Sequence, residues 1–236
     1  MKKNLFTLGV VAVVALLATS AFAANRGVSF KPIGFIENPG QYPASYVYDM
    51  NGDGSILVTS PSWAGGYCTL TTVDGLEWTE IGGSYNACQI SDDGTIVMGT
   101  MDDGGHGRTA VWAGAIDQWN PIPYPDGFEA CGSSGLSFYG MGANGGVATG
   151  LTWEGCSVAD AYYWDGETTV GIDTNNGRDN RGNAISADGN TIVGWASALN
   201  GTWRGAKYVG GEFSWIDANG DNEPKVCVDS GEWCND

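Results

Sequence analysis

The sequence predicts an all-β protein in which four-stranded sheets repeat along the chain. Four ten-residue segments align without gaps, 38 of the 236 residues are glycine, and no window keeps apolar residues at the i, i+3, i+4 and i+7 spacing of a helix. Four short strands in a unit of about 40 to 50 residues is the period of a propeller blade. We therefore expect a β-propeller-like array of about four four-stranded blades plus a partial fifth, forming a ring that is closed or left open.

The chain begins with the features of a secretory signal peptide. Lys2 and Lys3 precede an apolar run from Leu5 to Leu17, and Ala21-Phe22-Ala23 follows as the small-residue pattern that signal peptidase accepts. The run is short for a bilayer-spanning helix, so a retained anchor is the alternative. We expect residues 1–24 to be removed and the mature protein to be secreted, to the periplasm or the extracellular space.

Composition excludes one large class of partners. The formal net charge is −17, with 27 acidic against 10 basic residues, whereas binding to a phosphate backbone needs a basic surface that displaces counterions. We therefore expect no nucleic-acid partner. Hydrophobic residues make up 42% of the chain, which is enough to bury a core, and no segment after the signal is apolar enough to cross a membrane.

Each ten-residue segment has the pattern of a β-hairpin. An Asp-Gly or Asn-Gly pair stands between two stretches of strand-forming residues, and such a pair favours a tight turn with positive φ. The segments are Met50–Thr59, Ile90–Gly99, Met141–Gly150 and Ile185–Gly194. A second hairpin follows in every unit, with turns at Asp74-Gly75, Gly114-Ala115, Asp165-Gly166 and Gly210-Gly211. A jelly roll or sandwich is the alternative, because unequal spacing also fits loop insertions there.

These hairpins divide the chain into units. A repeat domain of residues 25–217 contains four of them, near residues 46–82, 86–123, 136–173 and 181–217, and an acidic, Cys-containing tail of residues 218–236 follows. Before the first unit, Val28–Gly34 has the pattern of a last blade strand, because Phe30 and Ile33 repeat the spacing of Trp78 with Ile81. With a strand near Lys225–Asp229, it would supply the partial fifth blade.

The ten-residue segments are followed by glycine-rich connections and by Ala-x-x-Trp-like strands at Ala110-Val111-Trp112, Ala161-Tyr162-Tyr163-Trp164 and Ala206-Lys207-Tyr208. In this order they resemble the HAF-type extracellular repeats of bacterial secreted proteins, from about Tyr46 to Asp217. The resemblance implies an extracellular, propeller-like repeat and carries over no catalytic residues. The first unit departs from it at Leu70–Val73, and the third has Asn144 in place of the turn aspartate.

The longer connections are expected on one face of the array, opposite the tight turns. They are residues 35–44, 60–67, 100–108, 123–134, 151–159, 173–181 and 195–204. Loops on a rigid scaffold commonly carry binding residues, and indole rings beside carboxylates suit a sugar ring. The candidate ligand-binding residues are therefore Trp63, Trp153, Trp195, Trp203, Asp102, Asp103, Glu154 and Asp160. The alternative is that these tryptophans only fill space between blades, as we expect of Trp78, Trp112, Trp119 and Trp164.

Two acidic turns are candidate calcium sites. Asp49, Asn51 and Asp53 match the first positions of an EF-hand-like loop, although position 12 is Ser60 where that loop has glutamate. A second candidate set, with the same alternation, is Asp217, Asn219 and Asp221. An ordinary hairpin turn is the alternative for the first set, and a solvated acidic turn is the alternative for the second.

Six cysteines follow the signal, and secretion into an oxidising compartment favours three disulfides among fifteen connectivities. The favoured pairs are close in sequence and surround single repeats: Cys68 with Cys88, Cys131 with Cys156, and Cys227 with Cys234. The single histidine, His106, lies among glycines in an expected flexible loop, which is a poor setting for an oriented base.

The sequence therefore predicts a secreted, non-enzymatic interaction module with a glycan or protein partner. One alternative is a glycoside-active hydrolase, which would need two facing carboxylates about 5 to 10 Å apart. The other is a purely structural cell-surface repeat.

Overall fold

The computed structural model describes residues 46–60, 68–72, 78–82, 86–114, 118–130, 135–154, 158–172, 178–198 and 201–216, all within one compact unit. They form sixteen β-strands in four antiparallel four-stranded sheets, and no helix occurs in these ranges. In each sheet the strands are neighbours in chain order. The predicted all-β class and the four four-stranded blades are confirmed.

We number the sheets as blades 1 to 4. Blade 1 comprises β1 (Tyr46–Met50), β2 (Ile56–Ser60), β3 (Cys68–Thr72) and β4 (Trp78–Gly82). Blade 2 comprises β5 (Asn86–Ile90), β6 (Ile96–Asp103), β7 (His106–Ala113) and β8 (Gln118–Pro121). Blade 3 comprises β9 (Leu136–Met141), β10 (Ala148–Glu154), β11 (Val158–Trp164) and β12 (Thr169–Ile172). Blade 4 comprises β13 (Asn180–Ile185), β14 (Thr191–Ser197), β15 (Trp203–Val209) and β16 (Glu212–Trp215).

The four ten-residue segments form one and the same turn between the first two strands of each blade. The backbone N–H of segment position 2 donates to the carbonyl of position 7, at 3.0, 2.9, 3.0 and 2.8 Å in blades 1 to 4. Position 5 has a φ of 72° to 76°, a conformation that favours glycine. The residues there are Gly54, Gly94, Gly145 and Gly189. The gapless repeat therefore marks structurally equivalent hairpins.

A side-chain oxygen at segment position 4 stabilises each turn. This residue is aspartate in three blades and Asn144 in blade 3, and its Oδ1 accepts the backbone N–H of position 6 at 2.9 to 3.1 Å. In blade 4 the hydroxyl of Ser186, and then the backbone and side chain of Asn190, lower the pKa of Asp188 to about 2, because they hydrogen-bond its ionised form.

Successive blades pack face to face in chain order, and each interface has its own core. The interface between blades 1 and 2 buries Val58, Ile81, Cys88, Ile90, Val97 and Trp112. The interface between blades 2 and 3 buries Met98, Ile122, Leu136, Phe138, Ala148, Tyr162 and Trp164. Ile172 of blade 3 packs with Ile192 of blade 4. We call the sheet face that meets the following blade the trailing face, and the opposite one the leading face.

The tryptophans expected in the core behave as predicted wherever their side chains are described. Trp112 and Trp164 are buried. Trp119 is half-buried against the first core, and its Nε1 donates a hydrogen bond to the carbonyl of Ile81 at 2.6 Å. The side chain of Trp78 lies outside the described part of the structure.

Polar groups also join the blades near the turns. Backbone amides of neighbouring turns connect directly, since Gly52 donates to the carbonyl of Asp92 at 2.9 Å and Asp92 donates to that of Ala143 at 2.7 Å. The residue just before each of the first two segments adds a second link. Asp49 Oδ2 accepts the backbone N–H of Ile90 at 3.0 Å, and Gln89 Oε1 accepts that of Met141 at 2.8 Å.

Three of the predicted long loops are wrong in length, because strands continue into them. Within the expected loop 100–108, β6 and β7 extend until only Gly104 and Gly105 remain between them. Both have positive φ, 67° and 97°, as a two-residue hairpin turn requires. His106 is therefore paired with Asp103 in a strand and does not lie in a flexible loop. Likewise, β10 continues to Glu154 and β14 to Ser197.

Several predicted features lie outside the described residues. They are the signal at residues 1–24, the strands expected at Val28–Gly34 and Lys225–Asp229, and the acidic tail of residues 218–236. The second turns at Asp165-Gly166 and Gly210-Gly211 are described, and their glycines have positive φ.

Candidate functional site: the exposed trailing face of blade 4

The trailing face of blade 4 is exposed, in contrast with the trailing faces of the other blades. At segment position 9, Val193 is 38% exposed, whereas its equivalents are fully buried: Val58, Met98 and Thr149. The isoleucine at or next to the end of the fourth strand repeats this difference. Ile216 is 50% exposed, whereas its equivalents are buried: Ile81, Ile122 and Ile172. Among the described strands, none of blade 1 packs extensively against blade 4.

Two tryptophans enlarge this apolar surface. The rings of Trp195 and Trp203 are stacked, with centroids 4.5 Å apart and planes 17° apart, and Trp203 is 69% exposed. Strand alternation places both on the same side as Val193. Trp195 occupies the position at which Thr100 of blade 2 meets blade 3, where Thr100 Oγ1 accepts the N–H of Phe138 at 3.1 Å. The structure thus brings together two of the four predicted ligand-binding tryptophans.

An arginine orders the inner end of this stack. The guanidinium carbon of Arg181 lies 5.5 Å from the ring centroid of Trp195 and 4.4 Å from that of Tyr139 in blade 3. Its Nε donates to Oδ1 of Asn183 at 3.2 Å. Cation–π contacts of this kind fix the indole of Trp195, on which Trp203 in turn stacks. The exposed surface is therefore held by packed neighbours on its inner side.

At the other end of the array, the leading face of blade 1 is also exposed. Val47 is 51% exposed and Met50 is 61% exposed. Their equivalents Phe138 and Ile90 are buried against the preceding blade. A β-bulge between Val47 and Asp49 turns Val47 and Met50 to the same side of the sheet. The other three first strands have a register shift at the same place.

Charge differs sharply between the two ends. Residues 178–216 contain four basic residues, Arg178, Arg181, Arg204 and Lys207, against three acidic ones. Residues 46–82 of blade 1 contain five acidic residues and no lysine or arginine. Residues 178–216 therefore carry a small positive formal charge, whereas residues 46–82 and 217–236 are acidic.

The predicted acidic ligands Asp102 and Asp103 lie elsewhere, at the tip of the β6–β7 hairpin. Asp103 pairs with Arg108 at 2.5 Å, and Arg108 Nε donates to the carbonyl of Ile122 at 2.7 Å. Asp102 Oδ1 accepts the N–H of Gly105 at 2.7 Å. The Arg108 guanidinium also covers the ring of Tyr124 at 4.3 Å. These contacts tie the hairpin to the segment that follows blade 2.

The remaining predicted ligand residues do not join the tryptophan stack through any described contact. Asp160 Oδ1 accepts a hydrogen bond from Asn180 Nδ2 at 2.9 Å, which links blades 3 and 4. Trp153 is partly exposed near the end of β10, and Glu154 is the last residue of that strand. Trp63 lies outside the described residues.

The first candidate calcium set is used within the fold. Asp49 accepts N–H groups of Met50 and Ile90, Asn51 Oδ1 accepts that of Ile56 at 2.8 Å, and Asp53 Oδ1 accepts that of Ser55 at 2.9 Å. Within the described ranges, no group of three or more His, Cys, Asp or Glu side chains is arranged to hold a metal ion. Asp217, Asn219 and Asp221 lie outside those ranges. Calcium binding stays a prediction.

The cysteines are described only in part. Cys88 is fully buried and disulfide-bonded, and no described cysteine is free. The structure does not describe the side chain that is bonded to Cys88. The side chains of the other five cysteines, Cys68, Cys131, Cys156, Cys227 and Cys234, also lie outside the description. The three predicted pairings stay predictions.

Sequence reasoning missed most of the exposed face. It identified Trp195 and Trp203 as loop residues, but Val193, Ile216 and Arg181 were not singled out as binding residues. A signal existed in the alignment of the repeats, because Val193 and Ile216 repeat residues that every earlier blade buries against its successor. That signal indicates exposed residues only once the structure shows that no described blade follows blade 4.

Comparison with known proteins supports the fold. No family model and no curated protein matches the chain. Among solved structures, a protein described as TolB of Agrobacterium tumefaciens is similar at 16% identity and a TM-score of 0.55, over 74% of this chain and 62% of that one. TolB from Acinetobacter baumannii is similar at 14% identity and a TM-score of 0.54, over 71% of this chain and 41% of that one. A puromycin-hydrolyzing peptidase of Mycobacterium tuberculosis is similar at 16% identity and a TM-score of 0.51, over 72% of this chain and 28% of that one.

The chain covers less than two thirds of the length of each of these structures. At such identities the likeness shows the fold alone. In the described part of the chain, no helix is long and apolar enough to cross a membrane. The four blades are those of a β-propeller.

Proposed function

We propose that the chain is a secreted, non-catalytic β-propeller-type module that binds a protein partner in the periplasm or the extracellular space. The observation that carries the proposal is the trailing face of blade 4. There Val193, Trp203 and Ile216 are exposed at a place where every other blade is covered by its successor.

The chemistry of this face suits a protein partner. Tryptophan, tyrosine and arginine dominate the energetics of protein interfaces. The face combines Trp195, Trp203 and Arg181, and the Arg181 guanidinium also contacts Tyr139 of blade 3. The tryptophan stack is held from within by Arg181, so binding would cost little side-chain entropy at Trp195. Large exposed apolar patches on a soluble protein typically mark interaction sites.

Two features of the sequence support the proposed location. The signal-like residues 1–24 predict export, and the ten-residue segments resemble HAF-type extracellular repeats. Two of the candidate carboxylates are engaged within the fold, since Asp103 pairs with Arg108 and Asp160 accepts a hydrogen bond from Asn180. These two residues therefore lend the glycoside-hydrolase alternative no support.

Site-specific photo-crosslinking tests this proposal. A photoreactive residue at position 203 is introduced into the full chain and activated in the envelope of producing cells. Position 170 is the matched control, because Val170 is also an exposed apolar residue in a strand but lies on blade 3. We expect a discrete protein adduct from position 203 and none from position 170. If neither position gives an adduct, the purely structural alternative replaces the binding module.

Glycan binding is a second candidate, favoured by one observation. The indole of Trp203 is largely open to solvent, and such a ring stacks on the apolar side of a pyranose. A glycan array with the purified mature protein, with and without calcium, tests it. Binding that disappears in Trp203→Ala and persists in Val170→Ala would support a sugar ligand, and silence across the array would count against it.

A further inference from the structure

Building on the proposed function, we infer that the partner of blade 4 is blade 1 of a second copy of this chain. The trailing face of blade 4 would pack on the leading face of blade 1 of the next molecule, in a head-to-tail contact. Such a contact is heterologous, so each chain uses two different surfaces.

Each of the three interfaces between successive blades joins a trailing face to a leading face. The trailing face of blade 4 and the leading face of blade 1 are the same two kinds of surface, and both are exposed. Inside the chain, Val58 of a trailing face shares a core with Ile90 of the next leading face. Val193 and Met50 are the equivalents of these two residues, and both are exposed. The intermolecular contact would therefore place Val193 against Met50.

A second internal contact gives the same correspondence. Thr100 of the blade 2 trailing face meets Phe138 of the blade 3 leading face. The equivalents of these residues are Trp195 in blade 4 and Val47 in blade 1, so Trp195 would lie against Val47. Trp203 and Ile216, exposed on the same side of blade 4, would extend the buried area. An apolar face on each side is what a stable contact needs.

The formal charges of the two blades are compatible with this occupant. Blade 4 has a small excess of basic residues, whereas blade 1 has five acidic residues and no basic one. Residues 217–236, which follow blade 4, add six acidic residues against one lysine, so the contact rests on the apolar residues and not on charge.

The main rival occupant is the chain itself. Residues 28–34 have the sequence pattern of a last blade strand and could cover blade 4 within one molecule. If blade 4 is covered within one molecule, the protein has the mass of a single chain and its crosslinks join residues of one isotope label. If a second copy covers blade 4, the mass is larger and crosslinks also join light to heavy chains.

The first experiment measures the mass of the full mature chain in solution by sedimentation and light scattering. We expect the wild type to form assemblies of more than one chain. Met50→Asp breaks the leading face and Ile216→Asp breaks the trailing face, and each variant alone should lower the association constant by at least about tenfold. A mixture of the two variants retains one intact interface and should form a two-chain complex. Val170→Asp is the matched control and should associate like the wild type.

The second experiment keeps the inference testable if a variant fails to fold. A photoreactive residue at position 50 is activated in an equal mixture of ¹⁴N- and ¹⁵N-labelled chains. We expect crosslinks to a peptide that contains Val193 or Ile216, half of them joining light to heavy chains.

A monomeric wild type at every concentration, or crosslinks only within one isotope label, would overturn the inference. An adduct from position 203 with a different protein would also overturn it and would leave the proposed function standing. If neither position 50 nor position 203 gives an adduct, both this inference and the proposed function are overturned.

Discussion

The hydroxyl oxygen of Tyr162 lies 2.7 Å from Oγ1 of Thr109, and this contact joins blade 3 to blade 2 inside the core. Both residues are fully buried. Burial raises the pKa of the Tyr162 hydroxyl, so it stays protonated and able to donate. Thr109 Oγ1 also lies 3.3 Å from the carbonyl of Leu136, to which it donates. A polar pair therefore lies among the buried apolar side chains of this interface.

Tyr162→Phe should destabilise the protein by about 1 kcal/mol, because it removes a buried hydrogen bond with little change in volume. Urea unfolding measures the loss. The double variant with Thr109→Val should cost less than the sum of the two single variants, because both remove the same contact. Tyr163→Phe, on a half-buried ring of the same strand, is the control. An equal loss in Tyr162→Phe and the control would contradict the role assigned to the pair.

Gly140→Ala should destabilise the contact between blades 3 and 4. A Cβ at Gly140 would lie 2.9 Å from Cα of Ala184 and 2.9 Å from the carbonyl oxygen of Asn183, and both atoms are backbone. We expect a loss of about 1 to 3 kcal/mol in urea unfolding. Gly171→Ala is the matched control, since it is also a strand glycine in blade 3 but has no atom within 4 Å of such a Cβ. Equal stability of the two variants would show that the blades move apart freely.

Asp188 should contribute to the acid sensitivity of the fold. Its pKa in the folded chain is about 2, below the ordinary value of 3.8, so the ionised turn adds stability above pH 3.8. That contribution is lost as the pH falls through the interval towards 2. Asp188→Asn keeps an acceptor oxygen, as Asn144 does in blade 3, and should lose less stability over this interval than the wild type. Thermal unfolding at stepped pH measures it, and parallel losses would refute the assignment.

Cys68 with Cys88 is one of the three pairings that the sequence favours, and the buried, disulfide-bonded state of Cys88 gives this prediction a direct test. Peptide mapping without reduction should recover one fragment that joins both residues. Cys68→Ala should then expose a Cys88 thiol that reacts after denaturation, and should cost about 3 kcal/mol through the freed loop. A Cys88 that stays unreactive in this variant would mean a different connectivity.

Trp203→Ala should leave the stability of the isolated chain nearly unchanged, since that ring is largely exposed and its loss empties no core. Trp112→Ala, by contrast, removes a buried ring from the interface between blades 1 and 2 and should cost about 3 to 5 kcal/mol. Thermal unfolding of both variants separates the two roles. A large loss in Trp203→Ala would mean that the ring supports the fold and is no interaction surface.

The sequence by itself determined the all-β class, the four blades and the first turn of each blade. Local chemistry was sufficient, because the glycine at segment position 5 and the Asp or Asn before it specify one hairpin wherever they occur. The lengths of the strands were not determined in this way. The sequence around Gly104 and Gly105 indicated a flexible loop. In the structure Asp102 pairs with Gly107, so β6 and β7 extend up to the turn that these two glycines form.

Only the tertiary structure decided which apolar residues are covered. Val58, Met98 and Val193 have the same local sequence context, yet Val193 alone of the three is exposed, because burial depends on a following blade and not on neighbouring residues. The same holds for Trp195 and Trp203, which the sequence placed in a loop and the fold stacks on one sheet face. A repeat specifies its unit through local hydrogen bonds, whereas the two ends of the array are defined by the packing between units.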